Sequence, residues 1–356
     1  MAGDAVNRRD FLKRAGAITA AGTAVFSFEE QILQAHQAPP QQAPPPEGAP
    51  PFGRRNQPPA PDVAGPIPTG KLGPLTFTRL IAGHNLVGWQ AHSRDLIYTS
   101  QLLRAYFTDD KVLETYQKYE ENGINASMLR IEKRSLELAK KYKQERGGKI
   151  QWMAQVVINE KDQMSDLEKA VEAGVVCAHV RGLEGDKFFK NQRMDILGTT
   201  LENIKKAGMV AGLATHGIDS LMEAERIGLP AEYYMKTFNS AQYWSAGPPV
   251  APDPNWKPTK DQLVQSEYAD SRHDNIWETT PKATAEFFAK VKKPFVAYKV
   301  LAAGAIHPRD GFKYAFEKGA DFIVVGMYDF QLKEGANITK GLLAGTLDRS
   351  RPWINT

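Results

Sequence analysis

Ala211-Gly-Leu-Ala-Thr-His216-Gly-Ile-Asp-Ser-Leu-Met-Glu-Ala-Glu-Arg-Ile-Gly-Leu-Pro-Ala-Glu-Tyr-Tyr-Met-Lys236-Thr-Phe-Asn239 reads as strand, helix, strand. A small and apolar run ends in Thr215-His216-Gly217. Asp219 or Ser220 then supplies an N-cap, and Leu221, Met222, Ala224 and Ile227 recur at helical spacing. Gly228 and Pro230 stop the helix before a second strand begins. Both strands finish in polar residues, which puts His216, Lys236 and Asn239 on one rim of a parallel sheet.

The same unit repeats along the chain. Strand patterns cover 77–82, 124–131, 150–157, 175–180, 209–215, 233–238, 294–300 and 322–325, with amphipathic helices between them. Glycines 123, 174, 208 and 319 stand directly before strands, where a helix end takes up a left-handed conformation. Eight such units predict an α/β fold, a (β/α)8 TIM barrel. An open doubly wound sheet fits less well, because no Gly-x-Gly-x-x-Gly follows the first strand. After the sixth strand, residues 241–279 carry several prolines together with Tyr243, Trp244, Trp256, Tyr268 and Trp277. A connection of that length leaving the catalytic end of a strand reads as a lid-like insertion.

The flanks differ from the barrel. Asn7-Arg8-Arg9-Asp10-Phe11-Leu12-Lys13, followed by the uncharged run from Ala15 to Phe28, resembles a twin-arginine export signal. That implies the Tat machinery as a partner and a periplasmic or otherwise extracytoplasmic destination. The uncharged run is shorter than the roughly 20 residues of a stable membrane span. We therefore assign residues 1–36 to the signal region, 37–72 to a Pro-rich disordered linker and 73–356 to the barrel domain. The net charge of +4 owes much to the N-terminal arm, and no basic stretch interleaved with aromatics marks the body. Nucleic acid is thus not an expected partner. Cys177 is the sole cysteine, so no intramolecular disulfide can form.

Barrel chemistry belongs at the C-terminal ends of the strands, and those ends are rich in polar residues. His84 and Asn85 follow the first strand, with His92 and Asp95 nearby. Arg130 and Glu132 follow on the second, Gln155 on the third, and His179 and Arg181 on the fourth. Thr215 and His216 close the fifth, Lys236 and Asn239 the sixth; Lys299 lies on the seventh, and Asp329 follows the eighth. Buried charge is costly unless paired, so this concentration predicts a small-molecule site. We expect His179, His216, Lys299, Lys236 and Glu132 to carry catalysis. His84, Asn85, His92, Asp95, Arg130, Gln155, Arg181 and Asn239 are expected to bind substrate.

Several passages resemble the aldo/keto reductase family. Leu201 to His216 is similar to its helix–Gly–strand passage before the fifth strand, and Glu232 to Asn239 to its sixth strand. Lys293-Pro-Phe-Val-Ala-Tyr-Lys299-Val-Leu-Ala-Ala-Gly304 resembles its seventh, and Val324-Val-Gly326-Met327 its last strand and turn. The resemblance implies an NADP cofactor with Gly304, Gly326 and Met327 beside it, and a reaction at the carbonyl or hydroxyl group of a small sugar-like substrate. It also implies an Asp, Tyr, Lys, His tetrad, from which this chain departs. Met128 and Gln155 stand at the Asp and Lys positions, no Tyr follows in the expected loop, and only His179 matches.

Two chemistries and one inert alternative remain open. One is an NADP-linked oxidoreductase with a rebuilt proton donor. Another is a non-redox lyase, isomerase or epimerase, in which Lys236 or Lys299 and the histidines abstract a proton beside a carbonyl; a Schiff-base role is open to Lys236, a lysine in an apolar strand. A divalent metal held by some of Glu132, His179 and His216 would serve such a reaction, although no compact ligand spacing marks it. The third is a catalytically inactive ligand-binding barrel, in which each lysine merely pairs with a carboxylate.

Overall fold

The computed structural model describes residues 58–90, 98–243, 264–265, 273–274 and 278–354. The twin-arginine segment, the first part of the linker, His92, Asp95 and most of 241–279 lie outside the described residues. A two-stranded hairpin, β1 (Thr69–Leu72) and β2 (Leu75–Thr78), precedes the barrel. The barrel strands are β3 (Leu80–Ala82), β4 (Ala126–Arg130), β5 (Gln151–Val156), β6 (Cys177–Val180), β7 (Val210–Thr215) and β8 (Tyr233–Thr237). A two-residue pair, β9 (Val264–Gln265) with β10 (His273–Asp274), falls within the long connection, and β11 (Phe295–Tyr298) and β12 (Phe322–Val325) complete the barrel. The eight barrel strands are parallel and the ring is closed, β12 pairing with β3 through Val324↔Ile81. This is the (β/α)8 fold that the strand–helix repeat predicts.

Helices pack outside. They are α1 (Thr99–Tyr106), α2 (Asp109–Glu121), α3 (Lys133–Arg146), α4 (Ser165–Glu172), α5 (Gly182–Lys190), α6 (Met194–Lys206), α7 (Asp219–Arg226), α8 (Pro281–Phe288), α9 (Pro308–Glu317) and α10 (Leu332–Ala344). Local sequence sets their ends. Thr108 accepts from the Lys111 backbone N–H at the start of α2, and α9 begins at Pro308. Glycines 123, 174, 208 and 319 have φ of 79°, 69°, 80° and 103°, the left-handed conformation expected of them. Two helices, α1 and α5, were not anticipated. The glycines in Gly182-Leu-Glu-Gly185-Asp186 disfavour a helix on propensity alone. Tertiary contact requires them: a Cβ on Gly185 would lie 2.3 Å from the Ala214 carbonyl oxygen.

Strand alternation separates two apolar layers. Leu80, Leu129, Ala154, Ala178, Tyr234, Phe238, Phe295 and Ile323 face the helices. Ile81, Met128, Met153, Cys177, Tyr233, Met235, Val296 and Phe322 fill the barrel itself. Leu72 and Phe77 of the hairpin belong to this inner cluster, and Gly73 sits against Val210 at the start of β7, so the hairpin closes the bottom of the barrel. The ordered body therefore begins before Gly73. Ile67 is buried, and Asp62 accepts from Lys333 at 2.9 Å and from Asn337 at 2.9 Å on α10. The strand expected over 77–82 is broken at Arg79, which leaves the sheet to bond the Asp321 carbonyl at 2.9 Å and stack on Trp353. Among the described residues no helix is long and apolar enough to cross a membrane.

The hairpin's role in the core can be measured. Leu72→Ala removes a side chain that is fully buried among barrel-interior residues. It should lower unfolding free energy by about 2–5 kcal/mol, seen as a reduced urea midpoint. An unchanged midpoint would show that the hairpin lies outside the cooperative core.

Candidate active site

The mouth is organised around one carboxylate that the sequence alone did not single out. Asp186, on the first turns of α5, accepts from the His216 backbone N–H at 3.0 Å and the Gly217 N–H at 3.1 Å. The same carboxylate lies 2.8 Å from His216 Nδ1. A side chain on Gly182 would put its Cβ 2.8 Å from both His216 Cε1 and the Tyr298 hydroxyl. Glycine at this position is what lets the helix start approach the end of β7. Burial pushes the Asp186 carboxyl upward, but the hydrogen bonds and charge of His216 and the backbone donors outweigh it and hold it below the usual range. Burial pushes His216 down, Lys299 adds to this, and Asp186 opposes; the imidazole ends at about 4. At neutral pH His216 is therefore uncharged. With Asp186 ionised, the proton sits on Nδ1 and the lone pair on Nε2, the arrangement of a general base.

Lys299 completes the group. Burial lowers its ammonium pKa to about 7, against the pull of Asp186 and with help from Lys236. Its position depends on a backbone exception. Val296 and Tyr298 face into the barrel and Phe295 and Ala297 face the helices, so regular alternation would turn Lys299 outward. Instead Lys299 has φ 59°, a left-handed conformation costing about 1–2 kcal/mol for a residue with a Cβ. Its Nζ lies 5.6 Å from the Tyr298 ring centroid, and its charge is felt by His216. Tyr298 donates to the Thr215 carbonyl at 3.0 Å, and its ring centroid is 5.8 Å from that of His216. Asn239 is buried; its Nδ2 donates to the Lys299 carbonyl at 3.2 Å, and its Oδ1 accepts from the Ala241 N–H at 3.0 Å.

Other expected site residues fall elsewhere. Lys236 shares its strand face with Tyr234 and Phe238, outside the barrel. Its Nζ lies 2.6 Å from Glu278 and 2.8 Å from the Thr237 carbonyl, with both charged side chains fully buried. Alternation thus points Lys236 at the helix layer, although its charge still acts on His216 and Lys299. His179 does face inward, but in register with Gly212 and Tyr233, two inward positions below His216 on β7. A Cβ on Gly212 would fall 2.1 Å from the Tyr233 ring, so that ring crosses the bare backbone to bring its hydroxyl 3.2 Å from His179 Nδ1. Burial lowers the His179 pKa to about 3, leaving a neutral interior imidazole.

Glu132 is largely exposed and pairs with Arg130 at 2.7 Å. Arg181 makes two hydrogen bonds of 2.6 Å to Glu184 on the same turn. His84 is buried with Nε2 2.9 Å from Ser135, and burial holds its pKa near 3. Arg130, Gln155 and His179 share one register row across β4, β5 and β6, and Asn85 is half-buried after β3. Asp329 binds Lys111 at 2.7 Å and Lys118 at 3.1 Å, tying α2 to the segment after β12. Gly304 and Gly326 are exposed on the rim, whereas Met327 is buried. Glu132, His179 and His216 do not converge. Among the described residues no group of three or more His, Cys, Asp or Glu side chains is placed to hold a metal ion.

Neither a protein-family model nor a curated protein matches the sequence. Among solved structures, a Pseudomonas aeruginosa protein described as an aldo-keto reductase is 16% identical over 78% of this chain and 94% of its own, with a TM-score of 0.50. The holo form of a Bacillus halodurans aldo-keto reductase is 10% identical over 79% and 92%, with a TM-score of 0.49. A truncated 3-deoxy-D-arabino-heptulosonate 7-phosphate synthase from Thermotoga maritima is 13% identical over 78% and 90%, with a TM-score of 0.41. The likeness is one of fold.

The electrostatics make a signed prediction. Lys299 holds its proton up to the usual 10.5 in the unfolded chain but only to about 7 when folded. The unfolded chain binds more protons between those values, so this residue's contribution makes stability rise with pH across that window. Lys299→Met should therefore raise the urea midpoint at pH 6 more than at pH 10, two points chosen on either side of the folded value of about 7. A midpoint that falls equally at both would show that the Lys299 ammonium is not depressed in the folded chain.

Proposed function

We propose that this barrel is an enzyme of carbonyl chemistry on a small, polar, sugar-like compound, and that it works without redox change, as a lyase, isomerase or epimerase. The observation that carries this reading is the juxtaposition of an amine titrating near 7 with a neutral imidazole fixed by a carboxylate. An amine with that pKa is partly uncharged at neutral pH and so is a competent nucleophile. Lys299 Nζ adds to the substrate carbonyl carbon and water leaves, giving an imine that takes one proton from solvent to become an iminium. The iminium draws electrons from the neighbouring carbon, so an adjacent C–H or C–C bond breaks with its electron pair moving toward nitrogen. His216 Nε2 takes the released proton, and Asp186 stabilises the resulting imidazolium. Return of a proton to carbon and hydrolysis by water restore the amine.

This reading also accounts for the absent tetrad. Reduction of a ketone needs a proton donor beside the developing alkoxide. The positions that the family resemblance would use hold Met128, which packs in the barrel interior, and Gln155. Lysine chemistry needs neither. Trapping tests the proposal: sodium borohydride is added with a panel of small hydroxy-aldehydes, hydroxy-ketones and 2-keto acids, and adducts are mapped by mass spectrometry. At least one compound should label Lys299. Lys299→Met should abolish the adduct, and His216→Gln should slow turnover by about 10²-fold or more. Full turnover of a panel member by Lys299→Met would end the Schiff-base reading.

An NADP-linked oxidoreductase is the second reading. It is favoured by Gly304 and Gly326, exposed after β11 and β12, where bare backbone allows close approach of an anionic group. Saturable quenching of tryptophan fluorescence by NADPH, lost on Gly326→Val, would move the balance to it.

We also propose export by the Tat route, from the paired Arg8 and Arg9 ahead of Phe11-Leu12-Lys13 and an uncharged run. Arg8→Lys with Arg9→Lys should retain folded protein in the cytoplasm, as read by cell fractionation. Unchanged extracytoplasmic protein would refute that route.

A further inference from the structure

The left-handed backbone at Lys299 requires something to hold it, and the rim offers one group placed to do so. β8 and β11 run in register, and their ladder ends with the Phe238 N–H donating to the Tyr298 carbonyl at 2.9 Å. The next carbonyl, that of Lys299, has turned out of the ladder. It accepts from the Ala302 N–H at 3.0 Å and from Asn239 Nδ2 at 3.2 Å. Asn239 is itself fixed, being buried and accepting from Ala241 through Oδ1. Its amide bridges β8 to the first residue beyond β11, replacing a backbone pair with a side-chain one. A residue held in a disfavoured φ persists only where its surroundings over-determine it. Here the turn leaves the amine 5.6 Å from the inward-facing Tyr298 ring and in charge contact with Asp186 and His216, whereas continued alternation would send it toward the helix layer.

We propose that Asn239 is the positioning residue for the reactive amine: by holding the Lys299 carbonyl it selects the left-handed conformer that presents Nζ to the mouth. This rests on the reading of Lys299 as the reacting group. The charges around that amine are Asp186 on α5, His216 after β7, and Lys236 on β8 with its partner Glu278. None is altered by a neutral change at Asn239, so a change in the amine's titration would report its position.

The experiment is competitive labelling of the full chain with acetic anhydride over a pH series, reading Lys299 acetylation by mass spectrometry. It needs no substrate. In the unaltered protein the midpoint should lie near 7. In Asn239→Ala it should rise by at least about one pH unit, a roughly tenfold smaller ratio of uncharged to charged amine at a given pH. Asn239→Ser, whose hydroxyl can still donate, should fall between the two and serves if the alanine variant does not fold. Leu72→Ala is the control for stability loss alone and should leave the midpoint unmoved. If the unaltered Lys299 titrates near the usual 10.5, the Lys299 reading itself fails. If it titrates near 7 and neither Asn239 variant moves it, the positioning role is wrong and the reading of Lys299 stands. A shift of the same size in Leu72→Ala would also overturn the role, because general loosening would then explain the effect.

Discussion

Alternation along closed parallel strands is the constraint on which the rest of this molecule depends. Each strand residue must face either the barrel or the helices, and a charged one meets very different surroundings in the two cases. Lys236 and Lys299 show both outcomes. Lys236 obeys the alternation, points into the helix layer, and is stabilised there by a fully buried ion pair with Glu278. Lys299 follows Tyr298 at the end of β11 and escapes through a left-handed φ, which brings its amine within reach of the mouth's charges. One lysine becomes architecture and the other is the amine proposed to react, although both stand at the ends of adjacent strands.

The two lysines remain coupled. The Lys236 charge lowers the pKa of both Lys299 and His216, while Asp186 raises both. Burial dominates each shift, so the amine is brought near neutrality and the imidazole is left uncharged. A pair of groups whose surroundings separate them in this way suits proton transfer, since one can add to a carbon centre while the other accepts a proton. Glu278 matters to this balance indirectly. Without it, Lys236 would be an unpartnered cation in an apolar layer, a state costly enough to force rearrangement of β8.

Much of the fold was legible because a parallel barrel writes its periodicity plainly. Each of the eight barrel strands falls inside a range that hydrophobic pattern marks out, and glycines 123, 174, 208 and 319 announce four of them. The site was less legible, and for identifiable reasons. His216 stands out as a polar residue ending an apolar strand. Asp186 does not, because the glycines of Gly182-x-x-Gly185 disguise a helix as a turn; glycines three residues apart before an acidic residue are nonetheless a signal of close helix–strand approach. His179 looked catalytic because inward-facing position and depth cannot be distinguished in one strand's sequence. Its depth comes from the register with Gly212 and Tyr233, which is a property of three strands together. Lys236 poses the converse case: its strand end is polar, but its parity is outward.

The relation between this barrel and the reductases it resembles follows from where protonatable groups can sit. The resemblance would place acid–base chemistry on the second to fourth barrel strands. There this chain offers Met128 in the apolar interior, Gln155 with no titratable proton, and a His179 whose burial lowers its pKa to about 3. None can exchange a proton near neutrality. On the other side of the ring, between β6 and β11, a glycine-opened helix start supplies Asp186, the end of β7 supplies His216, and a left-handed turn supplies Lys299. The closed sheet is indifferent to which arc of its rim carries the chemistry, because its stability lies in the ladder and the two apolar layers. On the proposed reading, a different set of loop and helix-start residues on the same scaffold is enough to place a reacting centre on another arc of the rim without disturbing a strand.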